Sequence, residues 1–348
     1  MTPMLTLLVL ACTGADTLVT LSDSGTVDTT PTPDTGTRTT GGPDSGGGTS
    51  DTQETGNPTD TQETGSTTDT QETGTRDTHQ PADTGPYDSL LELYAPAGDA
   101  WEVSEIPSNL SGITWVPDTR TYLVVLDSNR RLHELAEDFT HLREIELEDI
   151  NHSDTEDIVY LGLHDGEPEV ALISETSVVV IGTVPSGATS VDIDDWQKLT
   201  FAPEPSSRNA GGEGLAYDPV TETFWACSEK SPRIVWTFTR PPRGADLTYE
   251  DGGLAVTEAF DAEGLLIGVA DDISACVYDP RSERLMILSH ESRRVVDVGL
   301  DGTIHGTLEI ELVPDGNRKP EALTLHDSGD LIVGGEPNEM RAYTYSGP

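Results

Sequence analysis

Five times between residues 111 and 325 an alternating apolar run is launched by the same lead, a small or acidic residue followed by a small one. The phrases are Ser111-Gly112-Ile113-Thr114-Trp115, Glu156-Asp157-Ile158-Val159-Tyr160, Glu213-Gly214-Leu215-Ala216-Tyr217, Ser274-Ala275-Cys276-Val277-Tyr278 and Glu321-Ala322-Leu323-Thr324-Leu325. Alternation with a period of two is the mark of a β-strand with two different faces. In the first unit, strands are expected over Gly112–Val116, Tyr122–Leu126, about Arg131–Leu135 and about Leu142–Leu147, with a Pro117-Asp118-Thr119 turn after the first. Turn residues recur at the same place in later units, as Asp218-Pro219, Asp279-Pro280 and Asp327-Ser328-Gly329. Residues 87–348 divide into five units of about 52 residues, the size of a four-stranded propeller blade. The expected fold is therefore an all-β, five-bladed β-propeller.

Two places strain that reading. The last unit stops one strand short at Tyr345, and Leu90–Val103 is expected to supply the missing strand and close the ring. Within residues 240–270, Leu254–Phe260 and Leu265–Val269 fit either a fourth strand plus a loop or a degenerate sixth blade. Ala262-Glu263-Gly264-Leu265 mimics the repeated phrase, but it lies too close to Ser274 to begin a blade and is read as a decoy. Five blades are preferred and six remain open.

Residues 1–86 carry no such pattern. Thr, Asp, Gly, Ser and Pro fill residues 13–86, and Asp-Thr-Gln-Glu-Thr-Gly recurs unchanged at 51–56, 60–65 and 69–74. So little apolar surface cannot offset the entropy of ordering a chain, so this stretch reads as a disordered linker with a mean reach of ~50 Å. Ahead of it, Met4–Ala11 forms a short apolar run ending in Val9-Leu10-Ala11-Cys12. The run is too short to span a bilayer and reads as a signal segment over residues 1–12. Its end resembles a bacterial lipobox, which implies acylation of Cys12, export, and lipid anchoring at the outer membrane or cell surface. That anchor would be the only membrane contact.

Charge narrows the partners. The chain has 63 acidic and 19 basic residues, a net charge of −44. The 13 acidic and 2 basic residues of the tail account for −11, leaving −33 for the domain. Nucleic acid is excluded as a partner, because its recognition needs clustered Lys and Arg. Two cysteines, Cys227 and Cys276, fall inside apolar strand patterns of neighbouring units, where a buried thiol pair is favoured over a disulfide.

In a propeller the first strand of each blade starts beside the axis and the second returns to the same face. The residue leading strand one and the residue following strand two then share one mouth. The first column reads Ser111, Glu156, Glu213, Ser274, Glu321, and the second Asp127, Glu175, Glu229, His290, Glu336. Like charges converging at 6–8 Å repel by roughly 0.5–3 kcal/mol per pair, which protonation or a bound cation relieves. Oxygen donors without Cys point to Ca²⁺ before Mg²⁺. Glu156, Glu213, Glu321, Glu336 and Asp127 are the candidate metal ligands. Glu175, Glu229, His290, Ser111 and Ser274 are candidates for ligand binding.

The phrases also match a known family. Asn209-Ala210-Gly211-Gly212-Glu213-Gly214-Leu215-Ala216-Tyr217-Asp218-Pro219 resembles its central motif. Asp272-Ile273-Ser274, Ser289-His290-Glu291-Ser292-Arg293 and Lys319-Pro320-Glu321, running to Gly335-Glu336-Pro337-Asn338, resemble others. Residues 105–345 thus resemble the SdiA-regulated (YjiK-like) family of exported bacterial β-propellers. The resemblance marks Glu156, Glu213, Glu321 and Glu336 as motif glutamates and names no reaction. Asp157, Ala275 and Ala322 stand where the family favours Gly, and His290 where Asp is common. A more distant resemblance, to the esterase-like phytases, implies phosphoester hydrolysis by analogy.

Three functions follow. The first is a surface-anchored binding propeller with Ca²⁺ at its acidic mouth, contacting an extracellular ligand or protein. The second is a calcium-dependent phosphoesterase, and the third an inert scaffold. Hydrolysis would need cations at the mouth, where only Lys230, Arg293, Arg318 and Lys319 are placed; Arg130, Arg131 and Arg294 are read as pointing outward. Neither Gly-x-Ser-x-Gly nor His-Glu-x-x-His occurs.

Overall fold

The computed structural model describes residues 88–127, 130–148, 154–205, 210–311 and 319–347. The signal segment with Cys12, the linker, Asn209 and Arg318 lie outside the described residues.

Five antiparallel sheets, each built around one of the repeated phrases, form the domain. The first blade comprises Leu110–Val116, Thr121–Leu126, Arg131–Ala136 and His141–Glu148; the second, Thr155–His164, Glu167–Ser174, Val178–Thr183 and Gln197–Thr200. The third has Gly212–Asp218, Thr223–Ser228, Ile234–Thr239 and the short Thr257–Glu258. The fourth has Ala275–Asp279, Arg284–Ser289, Arg294–Gly299 and Ile304–Glu309. The segments joining the third and fourth strands of the second and third blades add a parallel strand to the previous blade's outer edge: Ser190–Asp192 beside His141–Glu148, and Leu247–Thr248 beside Gln197–Thr200. Those additions cover edges that would otherwise be open to unwanted pairing.

The fifth blade, Lys319–Leu325, Leu331–Glu336 and Glu339–Tyr345, takes its fourth strand from the start of the domain. Tyr94–Pro96 pairs antiparallel with Tyr343–Tyr345, and Trp101–Glu102 pairs with Glu339–Met340. The ring therefore closes as the sequence implies. No sixth blade exists among the described residues. The Ala262–Leu265 mimic is one helical turn capped by Asp261, and Leu265–Val269 forms no strand.

Each inner strand packs against the next, and the last against the first. Their close approach explains the small second residue of the phrase. A Cβ at Gly112 would sit 2.5 Å from the Asp157 Cα of the second blade, and one at Gly214 2.6 Å from the Cys276 backbone N of the fourth. Asp157 itself, 1% exposed, fills the space between three blades: Oδ2 accepts the Leu215 N–H at 2.8 Å and Oδ1 its neighbour Ile158 N–H at 2.8 Å. Burial holds its carboxyl well above the usual range, opposed by these backbone donors and that of Ile113.

The core is five separate apolar layers, one between each pair of adjacent sheets. Leu123, Leu132, Ile158 and Leu172 lie between the first and second blades, and Leu110, Ile113, Ile332 and Met340 between the fifth and first. Inner strands such as Leu110–Val116 and Gly212–Asp218 are buried on both faces, which is why the phrases read as apolar runs with little polar interruption, whereas outer strands such as His141–Glu148 alternate between buried and exposed.

One expectation is corrected. Cys227 and Cys276 are joined by a disulfide linking the second strand of the third blade to the inner strand of the fourth. The preference for free thiols rested on strand geometry within a sheet, whereas these residues face each other across two packed sheets.

Candidate functional site

All ten residues of the two columns line one cavity of about 90 Å³ at a mouth of the ring, together with Lys319. Two features of the backbone put them there. In four blades the pairing of the first two strands slips at the phrase: between Leu110 and Gly112, Thr155 and Asp157, Gly212 and Gly214, and Pro320 and Ala322. The residue left out of the ladder is Ser111, Glu156, Glu213 or Glu321. A β-bulge of this kind re-aims a side chain without ending the strand. The second column is tied to the same rim: the backbone N–H of Asp127, Glu175 and Glu229 donates to the carbonyls of Asn109, Asp154 and Gly211 at 3.0, 3.2 and 3.1 Å.

The mouth is electrostatically lopsided. Toward the fourth and fifth blades each acid faces a cation. Glu229 lies 2.6 Å from Lys230, which also reaches Glu291 at 3.0 Å; Glu321 is 3.4 Å from His290; and Glu336 is 3.4 Å from Lys319. His290 Nδ1 sits 2.7 Å from Oδ2 of Asp272, a fully buried carboxylate that also accepts from Ser289 Oγ and from the Glu291 N–H at 3.2 Å. Burial opposes charge on His290, but Asp272 and Glu321 outweigh it and push its pKa up to about 10. Asp272 is held below its ordinary value despite burial, chiefly by His290 and Ser289.

Toward the first three blades carboxylates face one another. Glu156, 6% exposed, accepts from Ser111 Oγ at 2.8 Å. Burial, then the charges of Asp127, Glu175 and Asp154, pushes it up to about 8. Glu213 is raised well above its ordinary value by burial and by Glu156, Glu229, Glu321 and Glu175. Asp127 is raised by burial and by Asp154, Glu175, Glu336 and Glu321.

One ligand atom from each of Glu229, Asp272, His290 and Glu291 lies within 4.8 Å of the others, a spacing that one divalent ion could bridge. Glu229 is 4% exposed and its Oε2 has no hydrogen-bond partner. Asp272 and Glu291 were not among the sequence candidates. Both sit in the family phrases around Ser274 and His290, but a rule taking one residue from each strand end passes over them. Of the expected mouth cations, Lys319 lines the cavity and Lys230 borders it through Glu229. Arg131 and Arg294 pair instead with Glu144 and Glu309 at 2.7 and 3.0 Å.

Residues 89–344 match the family described as SdiA-regulated. Among solved structures, a luciferin-regenerating enzyme is similar over 73% of this chain and 96% of its own, at 12% identity and a TM-score of 0.47. A gluconolactonase from Xanthomonas campestris is similar over 75% and 96%, at 14% identity and a TM-score of 0.42. A calcium-binding regucalcin from Agrobacterium tumefaciens is similar over 73% and 97%, at 12% identity and a TM-score of 0.41.

Proposed function

The chain belongs to the SdiA-regulated family, and from that premise and the geometry of the mouth we propose that it is a surface-anchored binding propeller whose acidic mouth holds a calcium ion. The observation that carries this reading is the unequal neutralisation of the mouth: His290, Lys319 and Lys230 serve one half, while the carboxyls of Asp127, Glu156 and Glu213 on the other are raised by burial and by neighbouring acids. A cavity of about 90 Å³ is roomy enough for one ion and several waters. Carboxylate oxygens on the crowded half are the donors Ca²⁺ takes, and Glu321, Glu336 and Glu229 lie across the cavity within reach of its waters. The unspent Oε2 of Glu229 is a further oxygen for that shell.

The same dimensions disfavour hydrolysis. Pockets that enclose an organic substrate run to about 300–1,000 Å³, and Lys230, His290 and Lys319 at this mouth each already face a carboxylate. The ion's role is then to order the rim that meets an extracellular ligand or protein. Attachment through an acylated Cys12 and the linker is part of this reading. Export fits the Cys227–Cys276 disulfide, since such bonds persist in oxidising compartments. Replacing Cys12 with Ser should release the protein from the detergent phase into the aqueous phase of a membrane extraction; unchanged partitioning would refute the anchor.

Calcium at 100 times its dissociation constant should stabilise the fold by about 2.7 kcal/mol, a rise of roughly 5–10 °C in Tm for a domain of this size. The sign with pH is fixed. Folded-state pKa values above the unfolded ones mean that deprotonation destabilises the metal-free fold as pH climbs from the carboxylate range toward about 8. The calcium-induced rise should therefore be larger at pH 8 than at pH 5, and Glu213→Gln should shrink it. Equal melting with calcium and with chelator across that range would remove the ion. Turnover of a generic phosphoester that Glu213→Gln abolishes would replace the binding reading with the hydrolytic one.

A further inference from the structure

The inner strands have a second end. Four residues after each leading acid or serine stands Trp115, Tyr160, Tyr217, Tyr278 or, in the fifth blade, Leu325. At about 3.3 Å per residue this column lies ~13 Å along the strands from the carboxylates. It lines a cavity of about 410 Å³, with Pro117, Pro219 and Pro280 among its walls. The rings are braced from behind. Tyr278 stacks on Trp225 at 5.1 Å and 14°, Tyr217 lies 4.6 Å from Phe224, and Trp115 lies 4.8 Å from Tyr122 and 4.2 Å from His326. Tyr160 is oriented by its hydroxyl, which donates to Asp118 at 2.5 Å.

We propose that this aromatic bowl binds a small organic cation of the quaternary or alkylated ammonium class. Volume and lining fit a small-molecule site, with aromatic walls and few polar groups. Charge then selects among occupants. Among the described residues Arg281 is the only Lys or Arg that lines the bowl, and it is spent. Its guanidinium donates to both Asp279 oxygens at 2.9 and 3.0 Å, to the Gly329 carbonyl at 3.2 Å and to the Tyr94 hydroxyl at 2.6 Å, over the Tyr345 ring at 4.4 Å. An anion would find no counter-charge. A cation meets ring faces, whose quadrupoles attract it, the exposed carboxylates of Asp118 and Asp327 beside the bowl, and a domain whose −33 charge draws cations toward it.

The test is a calorimetric titration of the full chain, saturated with calcium, against choline and against its neutral isostere 3,3-dimethylbutan-1-ol. Choline should bind at least about tenfold more tightly than the isostere. Tyr160→Leu should weaken choline at least about fivefold, and Asp118→Asn, which leaves every ring in place, should weaken it measurably. Equal affinity for the two probes would make the bowl a neutral apolar pocket. Loss on Glu213→Gln but not on Tyr160→Leu or Asp118→Asn would move the cation to the acidic mouth. No heat with choline up to about 10 mM would end the proposal.

Discussion

Replacing His290 with Ala is expected to cost the fold about 3–5 kcal/mol, the range for removing one partner of a buried ion pair. Asp272 is fully buried and its Oδ2 faces His290 at 2.7 Å. Ser289 and the Glu291 N–H satisfy only the other oxygen. Without the imidazolium, a buried negative charge remains among Glu229, Glu291 and Glu321, all acidic. The pH dependence gives a second reading of the same pair. The folded pKa of His290, about 10, lies above its unfolded value near 6.5. Its stabilisation is therefore complete below the unfolded value and drains away as pH rises toward 10. Asp272 titrates below its unfolded value, so its share is present above that value and is lost in acid. Parent and His290→Ala should differ most in Tm near pH 5–6, by roughly 10 °C, and converge by pH 10. A difference independent of pH, or below about 1 kcal/mol, would show that the pair is a surface contact of little weight.

Removing the disulfide should have a comparable effect. Cys227 and Cys276 are separated by 49 residues, and closing a loop of that length removes about 4 kcal/mol of chain entropy from the unfolded state. Both residues are essentially buried within an apolar layer, so Ala is the right replacement; Ser would bury two polar hydroxyls there. The Cys227→Ala, Cys276→Ala double variant should melt near the reduced parent and well below the oxidised one. In denaturant without reductant, alkylation should modify neither Cys227 nor Cys276. Labelling of both would restore the free-thiol reading of the sequence. The bond also joins two blades, so its loss should loosen the third and fourth blades against each other before it disturbs either sheet.

Much of the mouth was legible because its two columns follow from chain direction alone. Once Ile113, Ile158, Leu215, Cys276 and Leu323 are placed on inner strands, the residues leading those strands and following the next must share a face. The means was not legible. Four of the five leading residues reach the cavity through a bulge in the first hairpin, and a bulge has no reliable signature in a single sequence. Asp272 was missed for a similar reason. It lies two residues before Ser274, yet reaches the site through Ser289 and His290, which belong to the far end of another strand. The cysteine pairing failed because it depends on how two sheets face each other, whereas sequence periodicity describes each sheet alone.

Periodicity, turn chemistry and charge by themselves determined that this chain folds into radial sheets, five in preference to six, that Leu90–Val103 completes the last of them, and that acids gather at one end of the ring. These properties are local or follow from chain direction, so a linear code carries them. Only the tertiary structure decided which acids are neutralised and which are left facing one another, because that depends on His290, Lys319 and Lys230 arriving from particular blades. It alone joined Cys227 to Cys276, set Asp157 between three blades, and brought four aromatic side chains from four strands around one bowl. Each of these is a meeting between elements, and the distances that govern it exist only once the ring has closed.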